Sequence, residues 1–280
     1  MTFDDDLMLF CCYTQALRSP PLGSRTCQVR VPVIRSKYVM TFFLKRRYWV
    51  SAIVIALVTS GAPTHAAAPV DLELALLVDV SRSVDAREFI QQRDGYVNAF
   101  KDPSLFTEHI AKGPNKKIAA TLVYWSSPDR RVVAVDWRLV DSVESSRAFG
   151  EALVAATPGN IDLSGATRPF DGTTAPGSAI SFVMPQFGSN AYVGSRKVII
   201  LSGDGAENAG PATHKVRDDA LKNGVDTINA LPIGSEALRK WFTENVQGGK
   251  EAFTVSARDF PDLPTALQTM LKRTISGASN

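Results

Sequence analysis

Two short apolar runs, each followed at once by polar residues, dominate the hydrophobic pattern of this chain. Residues 74–78 run into Asp79, and residues 198–201 run into the acidic turn at residues 202–205. Unbroken apolar runs of this length are typical of strands buried on both faces, as in a parallel sheet covered by helices. We therefore expect both runs to lie inside one sheet, with the polar residues that follow them at its edge.

Segments with helical and strand periods alternate through the rest of the C-terminal part of the chain. The predicted helices are residues 86–100, 142–156, 176–182, 213–223, 236–246 and 263–275, and the further predicted strands are residues 117–125, 131–135, 226–232 and 252–255. Residues 131–135 follow a turn closely enough to form an antiparallel edge strand. The alternation predicts an α/β fold: a doubly wound, mostly parallel sheet with one antiparallel edge strand and helices on both faces.

The N-terminal part of the chain follows a different pattern. Residues 1–39 show no sustained period and hold all three cysteines. From Met40, a basic segment at residues 45–47, an apolar segment at residues 48–59 and small residues around Ala67 follow one another in the order of a secretory signal peptide. The apolar segment is short for a transmembrane span.

These patterns predict three parts. Residues 1–39 are expected to be a non-native or disordered extension, residues 40–67 a signal peptide, and residues 68–276 the folded domain. The alternative is a genuine N-terminal extension in which residues 48–59 anchor the chain in a membrane. With the signal removed, we expect a periplasmic or secreted protein that keeps no stable membrane anchor.

Removal of the signal would also change the charge of the protein. The whole chain has a net charge of +3, but residues 1–66 hold eight of its 31 basic side chains and three of its 28 acidic ones. The remainder therefore carries 23 basic and 25 acidic side chains, a net charge of −2. The basic character belongs to the part we expect to be removed, so it gives no argument for nucleic acid as a partner. The remaining domain has no cysteine and must be stabilised by its core.

Oxygen-bearing side chains follow the first predicted strand. Asp79, Ser81 and Ser83 stand at alternate positions where the strand opens into a turn. In open α/β sheets, ligands bind at the carboxyl ends of the strands. Three oxygen side chains within five residues suit a small hard cation better than they suit a core.

Two other segments complete a familiar arrangement. Asp-x-Ser-x-Ser after a first strand, Gly172-Thr173-Thr174 before a helix, and Asp204-Gly205 after a later strand together resemble the metal-ion-dependent adhesion site of von Willebrand factor type A domains. The resemblance covers about residues 70–275 and implies the Rossmann-like fold of that family. The metal ligands that it implies are Asp79, Ser81, Ser83, Thr174 and Asp204.

Two further features refine the resemblance. Thr174 is preferred over Thr173 because the family's metal-binding threonine stands five residues before a small helix residue, which here is Ala179. The chain is also similar to an uncharacterised bacterial branch, catalogued as domain of unknown function 1194, through residues 208–211 and 228–231. That label implies a fold and a site and leaves the biological role open.

The donor set indicates the kind of ion. Carboxylates and hydroxyls without histidine or cysteine suit Mg²⁺ first, with Mn²⁺ or Ca²⁺ as alternatives. Five protein ligands leave the ion unsaturated, and the resemblance implies that the open position accepts an Asp or Glu carboxylate of a protein partner. The expected function is an exported binding module of this kind. The alternatives are a metal-dependent hydrolase of phosphate or carboxyl esters and a site that is vestigial or purely structural.

Other enzyme classes find little support in the sequence. It contains no Gly-x-Ser-x-Gly elbow, P-loop or Gly-x-Gly-x-x-Gly fingerprint. Taken singly, the site residues also have ordinary explanations. Asp79 could be a helix-capping or turn residue, and Ser81, Ser83 and Thr174 could cap helices.

Overall fold

The computed structural model describes residues 67–156 and 172–277. The predicted extension and all of the predicted signal peptide except Ala67 lie outside the described residues, as do residues 157–171. The fold given below is that of the described part of the chain.

A six-stranded sheet forms the centre of the domain, and a separate two-stranded parallel sheet (β1 with β5) lies outside it. The strands in chain order are β1 (Ala68–Val70), β2 (Leu72–Asp79), β3 (Ile118–Trp125), β4 (Arg131–Val140), β5 (Tyr192–Gly194), β6 (Lys197–Gly203), β7 (Thr227–Pro232) and β8 (Gly248–Gly249). The large sheet has the order β4-β3-β2-β6-β7-β8. Its four middle strands are parallel, whereas β4 is antiparallel to β3, and the two-residue β8 is antiparallel to β7. The predicted α/β fold is confirmed.

Helices cover both faces of this sheet. They are α1 (Ala86–Lys101), α2 (Val143–Ala155), α3 (Pro176–Val183), α4 (Thr213–Lys222), α5 (Glu236–Asn245) and α6 (Leu263–Ser276). One apolar cluster joins the sheet to α1, α2 and α6, and a second joins the opposite face to α3, α4 and α5. Among the described residues, no helix combines the length and the apolar character that a membrane span requires.

The unbroken apolar run of β2 is explained by this two-sided burial. Leu74, Leu76 and Val78 contact the first cluster, and Ala75 and Leu77 contact the second. Because successive side chains of a strand point to opposite faces, a strand covered on both sides is apolar at every position. β2 lies beside β6 in the sheet. Helix α1, which follows β2, packs on one face of the sheet, and α3, which precedes β6, packs on the other. The carboxyl edge between β2 and β6 is thus the crevice where sheets of this type bind ligands.

Helix α1 begins with a capping box formed by Asp85 and Glu88. Asp85 Oδ1 accepts hydrogen bonds from the backbone N–H groups of Arg87 and Glu88 at 2.7 and 2.8 Å. Glu88 Oε2 accepts in return from the N–H of Asp85 at 2.8 Å. This reciprocal pair fixes the start of α1, so Ser81 and Ser83 stand in the loop before it.

The predicted strand at residues 252–255 is wrong. Thr254 makes an isolated bridge to Ala230 of β7, supported by bonds of 3.1 Å from Ala230 N to Phe253 O and from Val255 N to Ala230 O. The N–H of Phe253 donates instead to the side-chain Oδ1 of Asn229, at 3.1 Å. A side chain therefore replaces the main-chain partner that a continuing ladder would require.

The edge strand is longer than predicted. β4 continues to Val140 rather than ending at Val135, and its pairing with β3 shifts register around Ala120 and Leu122. Only one side of an edge strand is paired and its outer positions reach solvent, so its apolar pattern is weaker than that of β2. Short π and 3₁₀ turns at residues 105–112 and 184–188 were not predicted either.

Candidate metal centre

Asp79 is the last residue of β2, and its two carboxylate oxygens have different surroundings. Oδ1 accepts a hydrogen bond of 2.8 Å from the backbone N–H of Ser81, two residues on. Such a bond closes an Asx turn, which directs the chain out of the strand. Oδ2 is buried and has no hydrogen-bond partner in the described part of the chain. The role of Asp79 in the turn therefore explains the position of Oδ1 but gives Oδ2 no hydrogen-bond partner among the described residues.

The hydroxyls predicted as ligands form a continuous series beside Asp79. Thr174 Oγ1 donates to Ser81 Oγ at 3.3 Å, and Ser81 Oγ lies 3.2 Å from Ser83 Oγ. Ser83 Oγ in turn donates to Asp204 Oδ1 at 2.6 Å. The structure thus brings all five predicted residues together, and we call them the oxygen cluster. Asp79, Ser81 and Thr174 are buried, whereas Ser83 is exposed and Asp204 is half-buried.

The hydroxyls of the two adjacent threonines, Thr173 and Thr174, have different hydrogen-bond partners. Thr173 Oγ1 donates to Ser127 Oγ at 3.1 Å, and the backbone N–H of Thr173 donates to the same atom at 3.0 Å. The hydroxyl of Thr173 is therefore bound to the β3–β4 turn, outside the oxygen cluster. This placement agrees with the choice of Thr174 as the candidate ligand.

Helix capping does not explain the three hydroxyls. The N-cap of α1 is Asp85, which excludes Ser81 and Ser83 from that role. The N-cap of α3 is Ala175, and no side chain accepts a capping hydrogen bond there. Capping therefore does not account for the position of these hydroxyls beside Asp79 and Asp204.

The electrostatics of the cluster favour a cation. Burial and, after it, the negative charge of Asp204 together raise the pKa of Asp79 to about 7, against the opposing effects of Ser81 and of the backbone N–H of Asp204. Burial also raises the pKa of Asp204, while the hydroxyl of Ser83 opposes that shift. Two carboxylates that are desolvated and close together cost free energy unless a positive charge compensates them.

The shape of the site suits a small ion. A Cβ atom on Gly203 would lie 2.8 Å from Asp79 Oδ2, and one on Gly205 would lie 3.4 Å from Thr174 Oγ1. Glycine at both positions keeps side-chain atoms out of the space beside these oxygens. No group of three or more His, Cys, Asp or Glu residues occurs in residues 67–156 and 172–277 that could hold a metal. The donor set of two carboxylates and three hydroxyls fits a hard divalent cation.

One residue of the site, Asn208, was missed as a contributor. Its Oδ1 accepts from the backbone N–H of Thr174 at 2.8 Å, and its own N–H donates to Thr174 O at 3.0 Å. Asn208 therefore holds the backbone of Thr174 on both sides. The sequence offered a signal, since Asn208 stands four residues after Asp204, but it did not reveal the contact between the two loops.

One family model and several solved structures match this chain. A family model described as "Protein of unknown function (DUF1194)" matches residues 69–279. No curated protein matches the chain. Among solved structures, proximal thread matrix protein 1 from the mussel byssus has a TM-score of 0.54 at 19% identity, over 73% of this chain and 48% of that one. Another structure of the mussel protein, with a zinc-occupied MIDAS motif, has a TM-score of 0.52 at 18% identity, over 74% and 46%.

Two further structures extend the likeness beyond the mussel protein. The pilus adhesin SpaC from Lactobacillus rhamnosus GG, in an open conformation, gives a TM-score of 0.52 at 15% identity, over 74% of this chain and 30% of that one. The SpRpn10 VWA domain gives 0.50 at 16% identity, over 75% and 100%. This chain thus spans less than half of the mussel chain, and at these identities the likeness concerns the fold. The chain belongs to the family described as protein of unknown function (DUF1194) and has the von Willebrand factor type A fold.

Proposed function

We propose that this protein is an exported binding module that engages a protein partner through a divalent cation held by the oxygen cluster. The observation that carries the proposal is the buried Oδ2 of Asp79, which has no hydrogen-bond partner among the described residues. A buried ionised carboxylate without compensation costs several kcal/mol. A cation beside Asp79 and Asp204 would offset that cost.

One side of the oxygen cluster reaches the protein surface, where a partner could contact it. It runs from buried Asp79 and Ser81 to exposed Ser83, so an ion within it would be accessible from the surface on that side. When bound, the ion would supply a positive charge with room for one more oxygen ligand. A carboxylate is the ligand that a hard cation prefers, so we propose an Asp or Glu side chain of the partner. Mg²⁺ is the proposed ion, with Mn²⁺ and Ca²⁺ as the alternatives.

The surface next to the cluster is compatible with an acidic ligand. A groove beside Ser83 and Thr174 is also lined by Arg82, Asp129 and Arg130. Two of these three charged side chains are basic, which favours a partner segment with negative charge. The structural likeness to a byssus matrix protein and to a pilus adhesin supports a role in protein–protein contacts.

A crosslinking pull-down from the periplasm tests this proposal. The proposed partner is retained by the wild type in Mg²⁺, and it is lost in EDTA, with Asp79→Ala, and with Thr174→Ala. Thr269→Ala is the control, because Thr269 is an exposed threonine of α6 whose hydroxyl donates to Thr265 O in the same helix. Retention that is unchanged in EDTA would place the partner on another face of the protein.

A second assay distinguishes the alternative function, a metal-dependent hydrolase, from the proposed binding module. Purified protein is given generic phosphate and carboxyl esters with and without Mg²⁺. Turnover that requires Mg²⁺ and is lost in Asp79→Ala would favour the hydrolase over the binding module. The binding proposal predicts no turnover above the rate of the variant.

A further inference from the structure

Two polar side chains interrupt the apolar face that α1 presents to the sheet. Gln92 and Tyr96 are 0% and 1% exposed, and they stand four residues apart on the same side of the helix. Most of the buried residues around them are apolar. Polar groups in such a layer destabilise the fold unless they form hydrogen bonds, so the partners of these two groups are informative.

Both side chains contact the strands that end at the two carboxylates of the oxygen cluster, since β2 ends at Asp79 and β6 ends immediately before Asp204. Gln92 Nε2 donates to the backbone carbonyl oxygen of Asp79 at 2.8 Å. Tyr96 Oη donates to Ser202 Oγ at 3.1 Å, and Ser202 is the second residue before Asp204. Ser202 Oγ also lies 3.5 Å from Gln92 Oε1. One helix face therefore bonds to the ends of both β2 and β6.

We infer that Gln92, assisted by Tyr96, is a positioning residue that holds Asp79 and Asp204 at the separation a divalent cation requires. This inference rests on the proposed cation site. Two like charges at adjacent strand ends repel each other, so a metal-free site tends to widen unless its backbone is held. The bond from Gln92 acts on the main chain of Asp79 and leaves both carboxylate oxygens available to the ion.

Groups that orient metal ligands affect affinity strongly, with typical losses of about 10- to 100-fold when they are removed. Gln92→Leu keeps the size of the side chain and removes its hydrogen bond, and Tyr96→Phe removes only the hydroxyl. We expect the Kd for Mg²⁺ to rise roughly tenfold or more for Gln92→Leu and by a smaller factor for Tyr96→Phe.

Ser146→Ala provides a matched control for lost stability. Ser146 is buried, and its hydroxyl donates to the carbonyl of Phe100, in the last turn of α1, at 2.6 Å. Ser146→Ala and Gln92→Leu thus each remove one buried side-chain bond to a backbone carbonyl. Calorimetric titration with Mg²⁺ and urea unfolding are measured for all four proteins. Gln92→Met serves as the second variant if Gln92→Leu does not fold.

A readout without metal keeps this inference separate from the proposed function. The backbone N–H of Ser81 bonds to Asp79 Oδ1, so its hydrogen exchange reports how firmly Asp79 is held. We expect exchange of the Ser81 amide in metal-free protein to be at least about tenfold faster in Gln92→Leu than in Ser146→Ala. If the wild type binds no Mg²⁺, the proposed function fails. The exchange rate of the Ser81 amide still shows whether Gln92 holds the backbone of Asp79. Equal exchange rates, or equal effects of the two substitutions on the Kd, would overturn the inference.

Discussion

The negative charge of Asp204 disfavours the ionised form of Asp79 in the metal-free protein. Burial raises both pKa values, and the charge of Asp204 contributes to the shift of Asp79. We therefore expect proton binding to Asp79 to compete with binding of the proposed cation and to change the stability of the folded protein. Its behaviour with pH follows from the direction of that shift.

Cation binding should weaken as the pH falls below about 7. The pKa of Asp79 lies near 7 in the folded, metal-free protein, compared with an ordinary value of 3.8. Below pH 7, an incoming ion must displace a proton, so the apparent affinity for Mg²⁺ falls by up to roughly tenfold per pH unit. The metal-free protein also loses stability as the pH rises from about 4 to about 7, because its folded state binds the proton more tightly than its unfolded state.

Thermal unfolding with and without Mg²⁺ checks this pH dependence. Both effects predict that the rise in Tm caused by Mg²⁺ is larger at about pH 7.5 than at about pH 5.5. Asp79→Ala should show no rise at either pH. An equal rise of the wild type at the two pH values would show that Asp79 does not exchange a proton for the ion.

The identities of the five candidate ligands could be predicted from the sequence, whereas their individual environments could not. Asp79, Ser81 and Ser83 stand together in the chain, and their alternate spacing is visible without a structure. The contrast between the two oxygens of Asp79 depends on Gly203, at the end of β6, and on Asp204, which follows it. Contacts between segments distant in the chain leave no local pattern.

At the scale of loops, the oxygen cluster depends on the segment that follows β6. Asn208 accepts from the N–H of Thr174 and donates to its carbonyl, so it fixes the entry to α3. The loop thereby supplies Asp204 directly and orients Thr174 indirectly. Loss of Asn208 should impair both the position and the order of the threonine.

Asn208→Ala is expected to raise the Kd for Mg²⁺ roughly tenfold, as removal of a group that orients a metal ligand usually does. Calorimetric titration measures this change. Asn223→Ala is the matched control, because that asparagine bonds through its side chain to Asp219 O at the end of α4. If both variants bind Mg²⁺ as the wild type does, Thr174 does not depend on Asn208.

At the scale of secondary-structure elements, the strands that could be predicted from the sequence are those buried on both faces. β2 and β6 could be predicted because two-sided burial makes their sequences apolar throughout. The segment at residues 252–255 has strand-like residues, but the side chain of Asn229 takes the N–H that a ladder needs. The three-residue strands β1 and β5 are too short to show a period, and they pair across a long separation in the chain.

At the scale of the whole molecule, the described domain is stabilised by two apolar layers and has no cysteine. This is compatible with the export that we propose, since no disulfide is required for the fold. The fold alone does not identify the partner, because one fold hosts many functions and recognition depends on the site. The sequence could therefore predict the architecture and a candidate site but not the partner.

Export predicts a defined mature chain. Protein recovered from the periplasm should begin at Ala67 or Ala68, because small residues there follow the basic and apolar segments of the signal. Intact-mass analysis measures this directly. A recovered chain that still contains residues 48–59, or that remains with the membrane fraction, would support the anchor alternative.

The most direct test of the account is an equilibrium titration of Mg²⁺ into metal-free wild type and Asp79→Asn. Asn keeps the size of the side chain and an oxygen that can accept from the N–H of Ser81. We predict that the wild type binds one Mg²⁺ and gains about 2.7 kcal/mol of unfolding free energy at 100 times the Kd. Asp79→Asn should remain cooperatively folded and bind at least about tenfold more weakly. No binding by the wild type, or equal binding by the two proteins, would contradict the assignment of the oxygen cluster as a cation site.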